Sequence, residues 1–337
     1  MKRWNKKILT VMMEHDYGDP SRGVSGEKIW FHDNLAKLTS NIDAFWYDSL
    51  LGDLPKLRER TLAKVRETKP DLIFFVPYTD QFDSATLDEM RKIAPTAAWF
   101  GDDHWRFESY TKTLAPHITH PITTDPWALP LYDAIGAKPI LSEWAAQAKE
   151  GALPDPRSVS KFEWDVTFVG SANEVRTWFV RELAKRGIEV ACFGGGWPNG
   201  RIDAAKMDHI FTHSKISLNL SNSVPQDLSF VMSRPRNFAR WMISKKQSEQ
   251  VKARNFEIPL VGGFQLSRYA LGLERHLEIG KEVAVFTSVD ECAKQIRYYL
   301  SRENERREMA ALAAERTRRE HTYLHRLEKI LGEVWPG

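Results

Sequence analysis

Three kinds of stretch in this sequence gather residue types able to handle a charged, hydroxyl-rich ligand. The densest is Lys252-Ala253-Arg254-Asn255-Phe256-Glu257-Ile258-Pro259-Leu260-Val261-Gly262-Gly263-Phe264. Two cations, a carboxylate and a double glycine fall close together there. A carboxylate accepts hydrogen bonds from a pair of ribose hydroxyls, and fixed cations neutralise a diphosphate. The same residues also read as a surface helix followed by a buried strand over 259–264, with no ligand. A second pair of stretches consists of glycines that follow strands. Gly170-Ser171, with Arg176 opening the next helix, offers backbone N–H groups and a cation to phosphate, or is an ordinary turn. Gly194-Gly195-Gly196-Trp197 either brings backbone and an indole ring to a base, or is a flexible turn.

The third kind carries proton-transfer chemistry. Asp102-Asp103-His104 ends a strand over 97–100 and supplies either a general base for a hydroxyl or a structural cap. His15-Asp16-Tyr17, after the first strand, is a rival base. Gly23-Val24-Ser25-Gly26-Glu27 follows the same strand. It reads as a glycine-containing loop after the strand, or as a plain helix start capped by Ser25. Other chemistries fail on spacing. His117 and His120 have no third ligand, so no metal site is expected. There is no glycine-rich loop ending in Lys-Ser/Thr and no Gly-x-Ser-x-Gly elbow.

These groups need rigid elements to hold them. Strand signals over 8–13, 44–47, 72–76, 97–100 and 118–124 alternate with helical spacing over 27–38 and 54–68. The run 72–76 is apolar throughout, as in a strand buried on both faces. Strand, helix, strand at this spacing implies parallel pairing through crossover helices. Residues 148–163 are polar and rich in Gly and Pro, a linker composition. The alternation then restarts, with strands over 166–169, 188–193, 216–220, 259–264 and 283–286, and helices over 175–186, 289–300, 303–318 and 320–333. The fold class is therefore α/β, with two Rossmann-like doubly wound domains, 1–155 and 156–337, facing a central cleft. Ligands of such domains bind at the carboxyl ends of the strands.

The 337 residues suit two domains. The halves differ in charge: residues 1–155 carry 19 Lys+Arg and 23 Asp+Glu, residues 156–337 carry 29 and 22. A mildly basic second half fits an anionic nucleotide and is too sparse for nucleic acid. Two distant cysteines, Cys192 and Cys292, imply free thiols in a reducing compartment. No apolar run is long enough to span a membrane, and the basic leader Lys2 to Lys7 precedes too short an apolar stretch for a secretory signal. A cytoplasmic location is expected. The leader and aromatic surface would permit peripheral contact with the inner face of a membrane.

The order of residues in the second half resembles the CgeB-like, spore-maturation-protein-like relatives of the group 1 (GT-B) glycosyltransferases. The resemblance is carried by Lys252, Arg254, Phe256-Glu257, Gly262-Gly263, Gly280-Lys281-Glu282, Ile296 to Leu300, Arg306-Arg307 and Glu320-His321-Thr322 up to Arg326. Asp165 to Ser171 with Arg176, and Trp99 to Asp103 with Arg106-Phe107 and Thr124-Asp125, extend it. It implies a glycosyltransferase using a nucleotide-diphosphate sugar as substrate, with no cofactor and no metal. The acceptor would be a glycan, a lipid-linked glycan or another surface-polymer precursor.

The resemblance also implies roles. Glu257 would bind the donor ribose, Gly262 and Gly263 would meet the donor, and Arg254 with Lys252 would face the diphosphate. Gly170, Ser171, Arg176 and Gly195 would form the phosphate side. Gly23, Gly26 and Glu27 would lie toward the acceptor, with Asp103, Asp102, His104 and His15 as candidate catalytic residues. Asp102-Asp103 is similar to the metal-binding DxD signature of GT-A enzymes, but at the wrong spacing. Group 1 enzymes often carry two glutamates separated by seven residues. Glu249 and Glu257 have that spacing, although Gln250 to Phe256 do not otherwise resemble the usual segment. The group 1 kinship implies retention at the sugar, domain closure over the donor, and a last helix packing back on the first domain. Two other readings stand beside transfer: a catalytically idle binding or coat-associated shell, and a nucleotide-sugar epimerase.

Overall fold

The computed structural model describes residues 2–221, 223, 228–246 and 248–336. The chain divides into two compact units, Met1–Gln147 with Tyr323–Gly337, and Ala148–Thr322. Residues 148–155, which composition leaves with the first domain, thus belong to the second unit. The last helix, Tyr323–Val334, belongs to the first.

The first unit holds a six-stranded parallel sheet of β1 (Trp4–Met12), β2 (Thr39–Trp46), β3 (Leu72–Phe75), β4 (Thr96–Phe100), β5 (His120–Thr123) and β6 (Ile140–Leu141). The order is β2-β1-β3-β4-β5-β6. Its central strands are apolar on both faces because both faces are covered. Ile8, Met12, Leu72, Phe74, Ala97 and Trp99 point into one core, which Tyr323, Leu327, Ile330 and Leu331 of the last helix complete. Leu9, Val11, Ile73, Phe75, Ala98 and Phe100 point into the other, under helices Leu54–Thr68 and Ser84–Ile93. The last helix is tied in by main-chain contacts as well. The Tyr323 N–H donates to the Ala146 carbonyl at 3.0 Å, and Arg326 Nε to the Glu143 carbonyl at 3.2 Å.

The second unit repeats the plan with β7 (Trp164–Val169), β8 (Ala191–Phe193), β9 (Ser214–Asn219), β10 (Gln265–Arg268) and β11 (Ala284–Phe286), all parallel, in the order β11-β10-β9-β7-β8. Numbered within each unit, both sheets run 2-1-3-4-5, so each has a switch point between its first and third strands, the position at which such sheets bind ligands. Cys192 and Cys292 are both free and buried.

One expected element is wrong. Residues 259–264 are not a strand; the helix Arg254–Leu260 runs through Pro259, and the strand follows at Gln265–Arg268. The apolar run Ile258-Pro259-Leu260-Val261 imitates a buried strand because this helix is buried nearly all round. Pro259 has no N–H to donate, and Gln265 Nε2 donates instead to the Asn255 carbonyl, four residues before it, at 3.4 Å.

Candidate active site

In the first unit a cavity of about 280 Å³ opens at the switch point, lined by residues that follow β1, β3 and β4. Its walls are mainly aromatic, including Tyr17, Trp30, Tyr78, Trp99, Tyr110 and Trp144. Trp144 packs edge-on against Trp30 at 5.8 Å and against Trp99 at 4.6 Å between ring centroids. Gly26, Glu27, Asp102 and Asp103 lie in the lining, and exposed Gly23 outside it.

Glu27 is placed by a tight start to its helix. Ser25 Oγ donates to the Met13 carbonyl at 2.6 Å and accepts the Lys28 N–H at 3.0 Å, so the capping role is real. Residues Lys28–His32 then form a π-turn, a feature frequent at functional sites. Glu27 Oε2 accepts the Met13 N–H at 2.8 Å. Burial pushes its carboxyl up to about 8. The Met13 N–H opposes this, while the charges of Asp48 and Asp16 add to it. Asp48 itself accepts the N–H groups of Glu14 and His15, each at 2.8 Å, and contacts His15 Nδ1 at 3.1 Å. His15 is therefore held to Asp48 and is not among the residues lining the cavity.

Asp103, the first candidate base, proves to be a structural hub. Thr111 donates to its Oδ1 at 2.6 Å, and Thr123 and Tyr132 donate to its Oδ2 at 2.6 and 2.8 Å. Both oxygens are engaged and the residue is 3% exposed. Burial raises its carboxyl to about 6 against those three hydrogen bonds. Asp103 thus holds three hydroxyl groups together rather than capping the helix, whose N-cap position is Asp102, with no side-chain cap hydrogen bond. His104 lies outside the cavity lining.

In the second unit the switch point lies between β7 and β9, and Arg176 bridges it. Its Nε and Nη2 donate to the Leu220 carbonyl at 3.1 and 3.0 Å, and its Nη1 to the Ser171 carbonyl at 2.9 Å. Burial lowers its pKa to about 10, as does the charge of Arg254, while Glu249 opposes them. The guanidinium stays charged at neutral pH. Arg254 Nη1 pairs with Glu257 Oε2 at 2.8 Å within one helical turn. Lys252 opens the same helix, its N–H donating to Asn255 Oδ1 at 3.0 Å. Glu249 pairs with Arg268 at 2.9 Å, and burial raises its carboxyl despite the charges of Arg268 and Arg176. Arg268 was missed in the sequence because it ends β10, and the strand had been placed six residues too early. Buried Asn255 joins the group, donating to Ser267 Oγ at 3.1 Å, as does Asn219 at 3.2 Å.

The glycines there serve packing. Gly263 N–H donates to the Ile258 carbonyl and Gly262 N–H to the Pro259 carbonyl, the paired bonds of a Schellman cap, with Gly262 at φ 85°. A Cβ on Gly262 would lie 2.7 Å from Pro156, and one on Gly263 2.9 Å from the Phe211 carbonyl. These two residues thus end a helix inside the core, and their close packing is what requires glycine there. Gly194 allows the loops after β7 and β8 to touch, since a Cβ there would lie 2.5 Å from the Gly170 carbonyl. Ala172 N–H reaches the Gly195 carbonyl across the same junction at 2.7 Å. Trp197 is committed too: its Nε1 donates to the Gly170 carbonyl at 2.8 Å, so it braces the loop and is not a free stacking platform.

Among the described residues no group of three or more His, Cys, Asp or Glu is placed to hold a metal ion. No helix of these residues is long and apolar enough to cross a membrane.

Comparison with known proteins agrees with this geometry. The family model described as glycosyl transferase-like matches residues 176–332. No curated protein matches the sequence. Sucrose-phosphate synthase (tll1590) from Thermosynechococcus elongatus shares 10% identity over 97% of this chain and 99% of its own, with a TM-score of 0.67. Anabaena Alr3699/HepE, solved in complex with UDP and glucose, shares 12% over 98% and 99%, with a TM-score of 0.64. The lipopolysaccharide outer core galactosyltransferase WaaB shares 12% over 97% and 100%, with a TM-score of 0.58. The chain thus has the two-domain Rossmann-like fold of the GT-B glycosyltransferases, and its carboxyl-terminal half matches the glycosyl transferase-like model.

Proposed function

We propose that this protein transfers a sugar from a nucleotide-diphosphate donor to a hydroxyl of a glycan or lipid-linked glycan. One observation carries the reading. Arg176, Arg254 and Arg268, with Glu249 and Glu257, gather where the second sheet changes direction, inside the segment that matches the glycosyl transferase-like model. A diphosphate leaving group needs fixed positive charge that strengthens as its own charge develops, and guanidinium groups supply it without a metal ion. Glu257 would take the ribose hydroxyls, exchanging part of its contact with Arg254. That HepE was solved with UDP and glucose supports a uridine donor. The CgeB-like kinship rests on the residues from Lys252 to Arg326.

The acceptor belongs to the aromatic cavity of the first unit. Aromatic faces and hydrogen-bonding carboxyl groups suit a polyhydroxyl ring. Glu27, held near pKa 8, is matched to accept the proton of an attacking hydroxyl near neutral pH.

The test is calorimetric titration with UDP, GDP, ADP, CMP and dTDP, with and without EDTA, followed by product analysis using the nucleotide sugar of the base that binds. Binding of one nucleotide unaffected by EDTA, with sugar transfer or slow donor hydrolysis, is expected. Binding without turnover would favour the idle shell, isomerised donor without acceptor would favour an epimerase, and no binding to any nucleotide would refute the reading.

A further inference from the structure

The three most exposed large apolar side chains among the described residues lie together in one segment, apart from the residues assigned above to donor and acceptor. They are Ile243 at 81%, Met232 at 78% and Met242 at 64%, with Phe238 at 47% beside them. Three belong to the helix Pro235–Ile243, and Met232 precedes it. This helix is apolar on two sides. Its inner side is anchored: Asn237 is buried and donates to Ser233 Oγ at 2.8 Å, and Trp241 packs on the core of the second unit. Phe230, just upstream, is fully buried against Trp178 at 5.1 Å. At 100° per residue, Met242, Ala239 and Ile243 fall on the side opposite Asn237. The outer stripe therefore cannot be core of this unit, and it faces water.

The charge carried by this stretch of chain is of one sign. From Leu228 to Lys246 there is no Asp or Glu, and there are five cations, Arg234, Arg236, Arg240, Lys245 and Lys246. Arg234, Arg236, Arg240 and Lys245 are exposed. Arg240 pairs with Glu174 at 2.5 Å. An apolar stripe rimmed by cations matches an anionic bilayer surface, where apolar side chains enter the headgroup boundary and cations meet lipid phosphates. A soluble protein partner would need acidic residues around an apolar knob; a second copy of this surface would bring like charges together.

We infer that residues 232–245 form a docking element for an anionic lipid bilayer. The element leaves and rejoins the fold beside the nucleotide-side cluster, since Ser223 Oγ donates to the Ser248 carbonyl at 2.8 Å across its base. Docking would thus hold the second unit at the membrane surface. The inference rests on exposure and charge and does not depend on the identity of the donor.

The experiment is co-sedimentation of the full chain with vesicles of equal parts phosphatidylglycerol and phosphatidylcholine, against phosphatidylcholine alone. Binding to the anionic vesicles only, weakening with salt, is expected. Replacing Arg236 and Lys245 by Gln should reduce partitioning about 25-fold, at about fivefold for each cation. Met242→Asp with Ile243→Asp should abolish it, while circular dichroism and thermal unfolding stay unchanged because both side chains are exposed. The inference is overturned if anionic vesicles are not bound at low salt. It is also overturned if the double Asp variant binds them equally well, or if that variant only converts a dimer to a monomer.

Discussion

Glu27→Gln separates the electrostatic account of the first cavity from a packing account. Raising a carboxyl from its ordinary 4.5 to about 8 works against its charged form by about 5 kcal/mol, at about 1.4 kcal/mol per pH unit. Glu27 lines an open cavity of about 280 Å³ that admits water, so about half of that, roughly 2–3 kcal/mol, is the expected size. Because the folded state holds the proton more tightly than the unfolded chain, this group's contribution is complete below pH 4.5. It is lost as pH rises toward 8. Glutamine retains an oxygen to accept the Met13 N–H and cannot ionise. The stability difference, variant minus wild type, should therefore be small at pH 4.5, grow by about 1.4 kcal/mol per pH unit to roughly 2–3 kcal/mol about two units higher, and then level off. Urea unfolding of both proteins at a series of pH values, followed by tryptophan fluorescence, measures it. A difference that does not change with pH would refute the burial argument. In the same variant, transfer should fall at least about a hundredfold, as for loss of a general base, while nucleotide affinity, which the proposed function assigns to the other unit, should not change.

The remaining predictions concern residues whose roles the structure divides between ligand and scaffold. Glu257→Ala should weaken nucleotide binding about 10- to 100-fold in calorimetry, the loss of a charge-assisted hydrogen bond worth about 1.5–3 kcal/mol. Gly262→Ala should lower stability by at least about 1 kcal/mol, since Gly262 sits at φ 85° with Pro156 2.7 Å from any added Cβ. Its nucleotide affinity at saturating folding conditions should equal the wild type, and a selective loss of affinity would restore this glycine to the donor site. Asp103→Ala should destabilise the first unit by about 3 kcal/mol, because it strands the hydroxyls of Thr111, Thr123 and Tyr132. Thermal unfolding of that variant checks it, and a fully stable but inactive protein would return Asp103 to the role of base.

How far the sequence spoke for the structure depended on whether a signal was local. Leu54–Thr68 and Val289–Leu300 were legible to the residue because periodic apolar positions sit between ordinary caps, the side chains of Asp53 and Ser288. The tandem parallel sheets were legible because strands covered on both faces are apolar without alternation, as at Leu72–Phe75. The same rule misled at Ile258 to Val261, where a helix buried on all sides has no polar face to betray its period. That single error hid Arg268 and made Gly262-Gly263 look like a ligand loop instead of the end of a helix. Side-chain roles were less legible still. The adjacent pair Asp102-Asp103 has the residue types of a catalytic base, yet what decides the use of Asp103 is three donors, of which Thr123 and Tyr132 lie 20 and 29 residues away. Glu27 carries no motif. Its distinction comes from aromatic walls contributed by residues after three different strands, and from Asp48, brought to the loop by the pairing of β1 with β2. A carboxyl becomes a candidate base through the company that topology gives it, and no spacing within one stretch of chain encodes that company. This is why the cations and carboxylates between Lys252 and Glu257 stood out as a group in the sequence while Arg268 did not, and why the loop 23–27, although it pointed to Glu27, did not single it out from its neighbours.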